Sequence, residues 1–183
     1  CATAPSQAGP ILTAWLDDLL DLGCNGLLLG PIFDSDSHGY DTVDHLRIDP
    51  RLGDDADADA LFAACRERGI RVLLDGVFNH VGRSHPWWRA AVEAGPGSAA
   101  AARFATGPGA RTVDGLSVQV FEGHESLVVL DHDNPEVASS VSDVMAYWLQ
   151  RGVDGWRLDA AYAVPAAFWR RTIGPLREQF PGA

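Results

Sequence analysis

The sequence predicts an α/β protein built on a parallel sheet. Apolar runs of strand length alternate with helical patterns, in the order helix, strand, helix, strand, insertion, helix, strand, helix. Such alternation implies right-handed crossovers. The residues able to do chemistry fall at the carboxyl ends of the runs, where parallel sheets bind ligands.

Residues 10–22 read as a helix, because Leu12, Trp15, Leu16, Leu19 and Leu20 recur at helical spacing and Gly23 is placed to end it. GLLLGPIF, 26–33, is a continuous apolar run, the mark of a strand buried on both faces. The polar stretch DSDSHGYDTVDHLRIDPRLG is rich in turn residues, lacks a period and reads as a loop. A helix follows over 57–68, with Leu61, Phe62 and Cys65 inward, and then a buried strand over 70–78 with Asp75 near its end.

Between 81 and about 129 the character changes. Ala, Gly and Pro accumulate, and only 116–121 hints at an extended segment. A plain loop of that length is unusual, so 81–130 is expected to be a small inserted subdomain. Helical period returns with Asn134 as cap and Pro135 at the first position. Val137, Val141, Val144, Met145, Trp148 and Leu149 form its buried stripe. A short strand over 153–158 is followed by a last helix over 165–180, expected to be interrupted near Gly174 and Pro175.

The length of 183 residues suits one domain with a sizeable core, whereas an intact eight-fold β/α barrel takes about 250 residues. The formal net charge of −11 argues against nucleic acid or an anionic membrane as partner and is no obstacle to a neutral substrate. No apolar run approaches the length of a membrane span, and no signal peptide is visible. Three scattered cysteines, Cys1, Cys24 and Cys65, read as reduced thiols, Cys24 and Cys65 as core fillers, which points to the cytoplasm.

The central stretch is GVDGWRLDA. Side chains alternate along a strand, so Arg157 and Asp159 share one face and Leu158 takes the other. A carboxylate beside a permanent cation stays ionised near neutral pH, which suits a nucleophile. A structural ion pair at a strand end is the equally open alternative.

HGYD (38–41), DGVFNH (75–80) and GWRLDA (155–160), in this order and spaced across an insertion, closely resemble the α-amylase superfamily of retaining glycoside hydrolases and transglycosylases. DGVFNH is similar to that family's first signature and GWRLDA to the one holding its nucleophile. HPWW, Pro96-Gly97 and LDHDNPEV resemble the insertion of the neopullulanase and cyclomaltodextrinase branch. The resemblance spans roughly 10–180. It implies a partial (β/α)8 barrel, about three parallel strands from the second to the fourth. Residues 1–80 and 131–183 would then be barrel, and 81–130 the insertion after the third strand.

Carried over residue by residue, the resemblance makes Asp159 the nucleophile, with Arg157 holding it charged and oriented and Asp75 pairing with that arginine. Tyr40 would stack on the sugar where the bond breaks, and His80 would bond one of its hydroxyls. Without the resemblance, His80 reads as a framework histidine, Tyr40 as a rim aromatic and Asp75 as a partner of loop amides. Asp41 and Trp156 stay open between substrate contact and support. Tyr162 stays open between stacking a second sugar and packing on the insertion. The implied substrate is an α-linked glucan oligosaccharide.

Two departures from the family pattern matter. Its calcium site would take Asn79, an insertion acid and a histidine past the nucleophile, but the last two positions are Val129 and Ala163. Calcium wants six to eight oxygens, so no metal or other cofactor is expected. The family's general acid is a glutamate on the following strand, expected beyond Ala183. Glu178, Glu122 and Glu125 are poorly placed to replace it. The chain is therefore expected to be a fragment, inactive without the remainder of the barrel. The rival readings are a catalytically silent amylase-like scaffold, and an unrelated β/α enzyme holding a metal between Asp75 and Asp159.

Overall fold

The computed structural model describes residues 8–183; Cys1 and the rest of the opening segment lie outside the described residues. The predicted first helix is two, α1 (Ala8–Ala14) and α2 (Leu16–Asp21), separated by a turn at Trp15. Trp15 points to solvent while Leu16 enters the core. Strand β1 (Gly26–Leu29) is shorter than the apolar run suggests, because Gly30-Pro31 follows and proline cannot donate to a ladder. It is not buried on both faces: Leu29 faces the core, whereas Leu28 is 51% exposed.

The polar stretch expected to be a loop is instead a hairpin. Strand β2 (Phe33–Ser35) pairs antiparallel with β3 (Thr42–Ile48), with an irregular register. Its buried anchors, Phe33, Thr42 and Ile48, are too widely spaced to show an alternating pattern.

Helix α3 (Asp55–Glu67) starts two residues before the predicted boundary, because Asp54 and Asp57 form a reciprocal capping box. Ala58, Leu61, Phe62 and Cys65 fill its buried face. Strand β4 (Arg71–Gly76) lies between β1 and β9 (Gly155–Leu158) in one parallel sheet, with Leu29 opposite Leu74 and Asp75 opposite Arg157. Asp154 accepts the Val72 amide at 2.8 Å and pins the entry of β9.

Residues 80–129 contain β5 (His80–Gly82), α4 (Pro86–Ala94), the hairpin β6 (Arg111–Val113) and β7 (Leu116–Val118), and β8 (Leu127–Val129) paired back to β5. Helix α5 (Pro135–Gln150) begins where expected, with Asn134 accepting the Glu136 amide at 2.9 Å. Helix α6 (Ala166–Gln179) runs unbroken through Gly174 and Pro175, contrary to the expected interruption. Phe168, Thr172 and Leu176 lock one face into the core on both sides of the proline, which offsets the missing backbone bond.

Two apolar clusters result. One packs Leu16, Phe33, Phe62, Leu74 and Trp148 between the sheet and helices α3 and α5. The other packs Trp88, Phe104, Val128, Val137 and Phe168, joining 80–130 to α5 and α6. Each such buried aromatic contributes about 2–3 kcal/mol. Cys65 is a core filler as expected, but Cys24 is exposed. The helices lie on one side of the sheet; Leu28 and Leu73, on the other face, are exposed.

Candidate functional site

The site grows from the register of β4 and β9. Asp75 and Arg157 are direct cross-strand partners and therefore share a face, and Asp159 lies on that face two residues further on. The Asp159 amide donates to Gly76 O at 3.0 Å, continuing the ladder past the end of β9 and fixing the carboxylate. Arg157 Nη1 donates to Asp75 Oδ2 and lies 3.2 Å from Asp159 Oδ1. One guanidinium nitrogen thus contacts two carboxylates from adjacent strands.

The partners differ in solvation. Arg157 is 44% exposed at its side chain, whereas Asp75 is 3% exposed. Burial drives the Asp75 carboxyl up, and the hydrogen bond from Arg157 only partly pulls it back. Asp75 Oδ1 is buried with no hydrogen-bond partner, which adds to the cost of its charge. The Asp75 hydrogen bond pushes Arg157 up, so the guanidinium stays charged throughout the working pH range. Immediately past Asp159, Ala160 adopts a left-handed φ of 46°, a strained conformation for a residue with a Cβ.

His80 is buried beneath this cluster. Its Nε2–H donates to Tyr40 O at 3.1 Å, and its Nδ1 accepts from Asn79 Nδ2 at 3.1 Å. Burial pushes its pKa down to about 4, so it is neutral at pH 7. Phe121, from the segment between β7 and β8, stacks on its ring at 4.7 Å. Both ring nitrogens are thus engaged within the protein, and His80 holds the Tyr40 backbone in place. The Tyr40 ring itself is exposed, and its phenol lies within electrostatic reach of Arg157.

Asp41 is not gathered into the cluster. Its carboxylate accepts the Ser37 hydroxyl at 2.5 Å and the His38 amide at 3.1 Å, closing the hairpin tip on itself. Burial pushes its pKa up, but these hydrogen bonds outweigh it and hold the carboxyl below its ordinary value. Trp156 is not gathered either: strand alternation turns it to the opposite face, where it packs between Phe33 and Phe78. Tyr162 is 79% exposed, and its hydroxyl donates to Glu122 at 2.7 Å.

Several contributors went unnoticed in the sequence. His45 Nε2–H donates to Val77 O at 3.0 Å, and His132 Nε2–H to Phe78 O at 3.1 Å, clamping the segment that leaves β4. Arg51 Nε donates to Asp49 Oδ1 at 2.8 Å while its other nitrogens reach Ser35 and Ser37, tying down the loop that carries Tyr40. The only signal for these was a histidine or arginine within a turn-rich stretch.

Asn79 does not fit a calcium centre. Its side-chain nitrogen faces His80, and Val129 and Ala163 supply no side-chain oxygen. Arg157 fills the position that a cation shared by Asp75 and Asp159 would take. Among the described residues, no three acidic, histidine or cysteine side chains converge to hold a metal ion.

Sheet and cluster together define a class, a segment of a β/α barrel with a guanidinium-clamped carboxylate at a strand end. Comparison with known proteins then gives the family. The profile of the alpha-amylase catalytic domain matches residues 11–106 and 118–176, and the chain belongs to that family. It is similar to the intracellular maltogenic amylase of Bacillus subtilis, 39% identical over 157 residues, which cover 85% of this chain and 26% of the relative. A cyclomaltodextrinase from Bacillus sp is 36% identical over 172 residues, covering 92% of this chain and 31% of the relative. Among solved structures, the cyclic alpha-maltosyl-(1→6)-maltose hydrolase of Arthrobacter globiformis in complex with maltose superposes with a TM-score of 0.86. It is 34% identical and covers 98% of this chain and 43% of that one. The chain thus spans about a quarter to a third of the length of the curated relatives it matches. The three parallel strands are an arc of the (β/α)8 barrel of these enzymes. No described helix is long and apolar enough to cross a membrane.

Proposed function

We propose that the strand-end cluster is the nucleophile half of a retaining glycosidase or transglycosylase site acting on α-linked glucan oligosaccharides. An Asp159 oxygen attacks the anomeric carbon and the glycosidic C–O bond breaks. The departing oxygen takes a proton from a second carboxylic acid, about 5 Å from the nucleophile in retaining enzymes. That group then removes a proton from water or an acceptor sugar, which cleaves the glycosyl ester. Arg157 pairs with Asp159 at 3.2 Å and orients it, and the Tyr40 ring offers its face to the positive charge that develops on the sugar.

The observation that carries this reading is the single Arg157 nitrogen set between Asp75 and Asp159 on neighbouring strands. Residues 81–130 act in it as an inserted subdomain that walls one side of the cleft through Phe121 and Glu122. The acid must come from elsewhere in the barrel. Glu122 is committed to Tyr162, Glu125 pairs with Arg111 at 3.9 Å, and Glu178 lies on α6 in the helical layer. The 183 residues alone are therefore inactive, and the remaining strands complete the site. No calcium is required at Asn79, so a chelator leaves Tm unchanged. The thiol of Cys24, free and exposed, supports a reducing, cytoplasmic setting.

The test is activity on maltooligosaccharides of the complete protein containing this chain. Asp159→Asn lowers kcat on the order of 10⁴-fold or more with the fold intact by circular dichroism. Undiminished turnover in that variant overturns the reading, as does turnover by the 183 residues alone.

A further inference from the structure

A cavity of about 550 Å³ opens on the flank of the molecule, bounded by β3, the start of α4 and the outer face of α5. None of Tyr40, Asp75, Arg157 or Asp159 lines it. Phe78, Leu130 and Val141 form its buried floor, Trp87 and Tyr147 stand in its walls, and Asp44 and Asp143 contribute carboxylates.

Two imidazoles set its polarity. His45 Nε2–H is spent on Val77 O at 3.0 Å, which leaves Nδ1 as an acceptor. His85 Nδ1 accepts the Trp87 amide at 3.2 Å, capping α4, so the proton of this ring sits on Nε2. His85 is only 9% exposed, and among the described residues none accepts a hydrogen bond from its Nε2–H. The two rings meet at a steep angle with centroids 5.9 Å apart, without bonding each other. Both stay neutral, because burial pushes His85 down to about 3 and lowers His45 as well. The cavity wall therefore offers one accessible donor, His85 Nε2–H, and one accessible acceptor, His45 Nδ1, above an apolar floor. A donor and an acceptor on adjacent rings that line one cavity suit a group that both donates and accepts. A hydroxyl does so.

The other features narrow the ligand. No lysine or arginine lines the cavity, and two carboxylates do, so an anion is excluded. A cation would leave the neutral imidazoles and apolar floor unanswered. What fits is an uncharged polyol with an apolar face, and the volume lies within the range of small-ligand pockets.

We propose that the flank cavity is a second carbohydrate site, holding a neutral glucoside of one or two rings outside the catalytic cleft. One sugar hydroxyl donates to His45 Nδ1 and accepts from His85 Nε2–H, while Asp44 and Asp143 take further hydroxyls. The glucosyl identity rests on the α-glucan reading of the strand-end site; the donor–acceptor pattern stands without it.

The test is calorimetric titration of the complete protein, carrying Asp159→Asn to stop turnover, with maltose. Two classes of site are expected. His85→Phe and, separately, Asp143→Trp each weaken one class about tenfold or more and leave the other unchanged. With Asp159 intact, neither substitution changes kcat on maltotriose. The second variant lies on an exposed helix face, so it carries the test even if loss of the His85 cap unfolds the first. A single class overturns the proposal, and so do two classes that neither variant moves. The two readings fail separately. Absence of a second class alongside glycosylation of Asp159 sinks only the flank site, whereas glycosylation elsewhere with a second class present sinks only the catalytic assignment.

Discussion

Strand β4 ends between two regions that handle buried polarity in opposite ways. At Asp75 the solution is charge: a buried carboxylate and a half-exposed guanidinium, with Asp159 sharing the same cation. Two residues on, at Val77 and Phe78, it is neutrality, with backbone carbonyls answered by the uncharged imidazoles of His45 and His132. The first region fails when a charge is removed, the second when one is added. On the proposed reading, a nucleophile at Asp159 draws on the former. The walls around it need the latter, since nearby charge would disturb the field in which the sugar cation forms.

Removing the cation should break the comparison most severely. Arg157→Met strands Asp75 in the interior and is expected to cost about 2–3 kcal/mol in urea denaturation, less than for a fully buried pair because Arg157 is half-exposed. Activity of the complete protein should fall on the order of 10²–10³-fold. Adding Asp75→Asn to that background should recover part of the stability and none of the activity. Unchanged stability in the single variant would mean that Asp75 is not held as a charge.

Acid should break the other region. His45, His80, His85 and His132 are all pushed below the ordinary imidazole value by burial, His80 to about 4 and His85 to about 3. As pH falls through about 6.5 the unfolded chain takes up these protons and the folded chain does not. Their contribution is therefore complete above pH 6.5 and is lost progressively toward pH 4 and below. Together they should remove roughly several kcal/mol between pH 7 and pH 4. Urea midpoints across that range read it out, and a flat profile contradicts it; His85→Phe should make the slope shallower.

The smallest effect is expected at the contact between Glu122 and Tyr162. Tyr162→Phe deletes an exposed hydrogen bond to Glu122 and should leave the urea midpoint nearly unchanged. A larger loss would show that the segment carrying Glu122 depends on this contact to stay docked.

The legible parts of the sequence were those where one short pattern carried the geometry. GWRLDA set Arg157 and Asp159 on one face because a strand alternates, and Asn134-Pro135 announced a helix start. The same alternation turns Trp156 away from Arg157, so its absence from the cluster follows from the pattern that located the pair. The hairpin over 33–48 was hidden because few of its residues are buried and its register is irregular. His45 and His85 gave no signal, since their partners are a backbone carbonyl and a backbone amide. The Pro175 helix runs on because Thr172 and Leu176, one on either side of the proline, are buried, a tertiary fact with no local signature.

The central claim is that Asp159 forms the covalent bond to sugar. Incubating the complete protein with a fluoro-glucosyl mechanism-based reagent and mapping the modified peptide by mass spectrometry tests it directly. The expected product carries one glycosyl ester on Asp159, and none forms in Asp159→Asn. A label on any other residue, or an unlabelled protein that still turns over maltooligosaccharides, contradicts it.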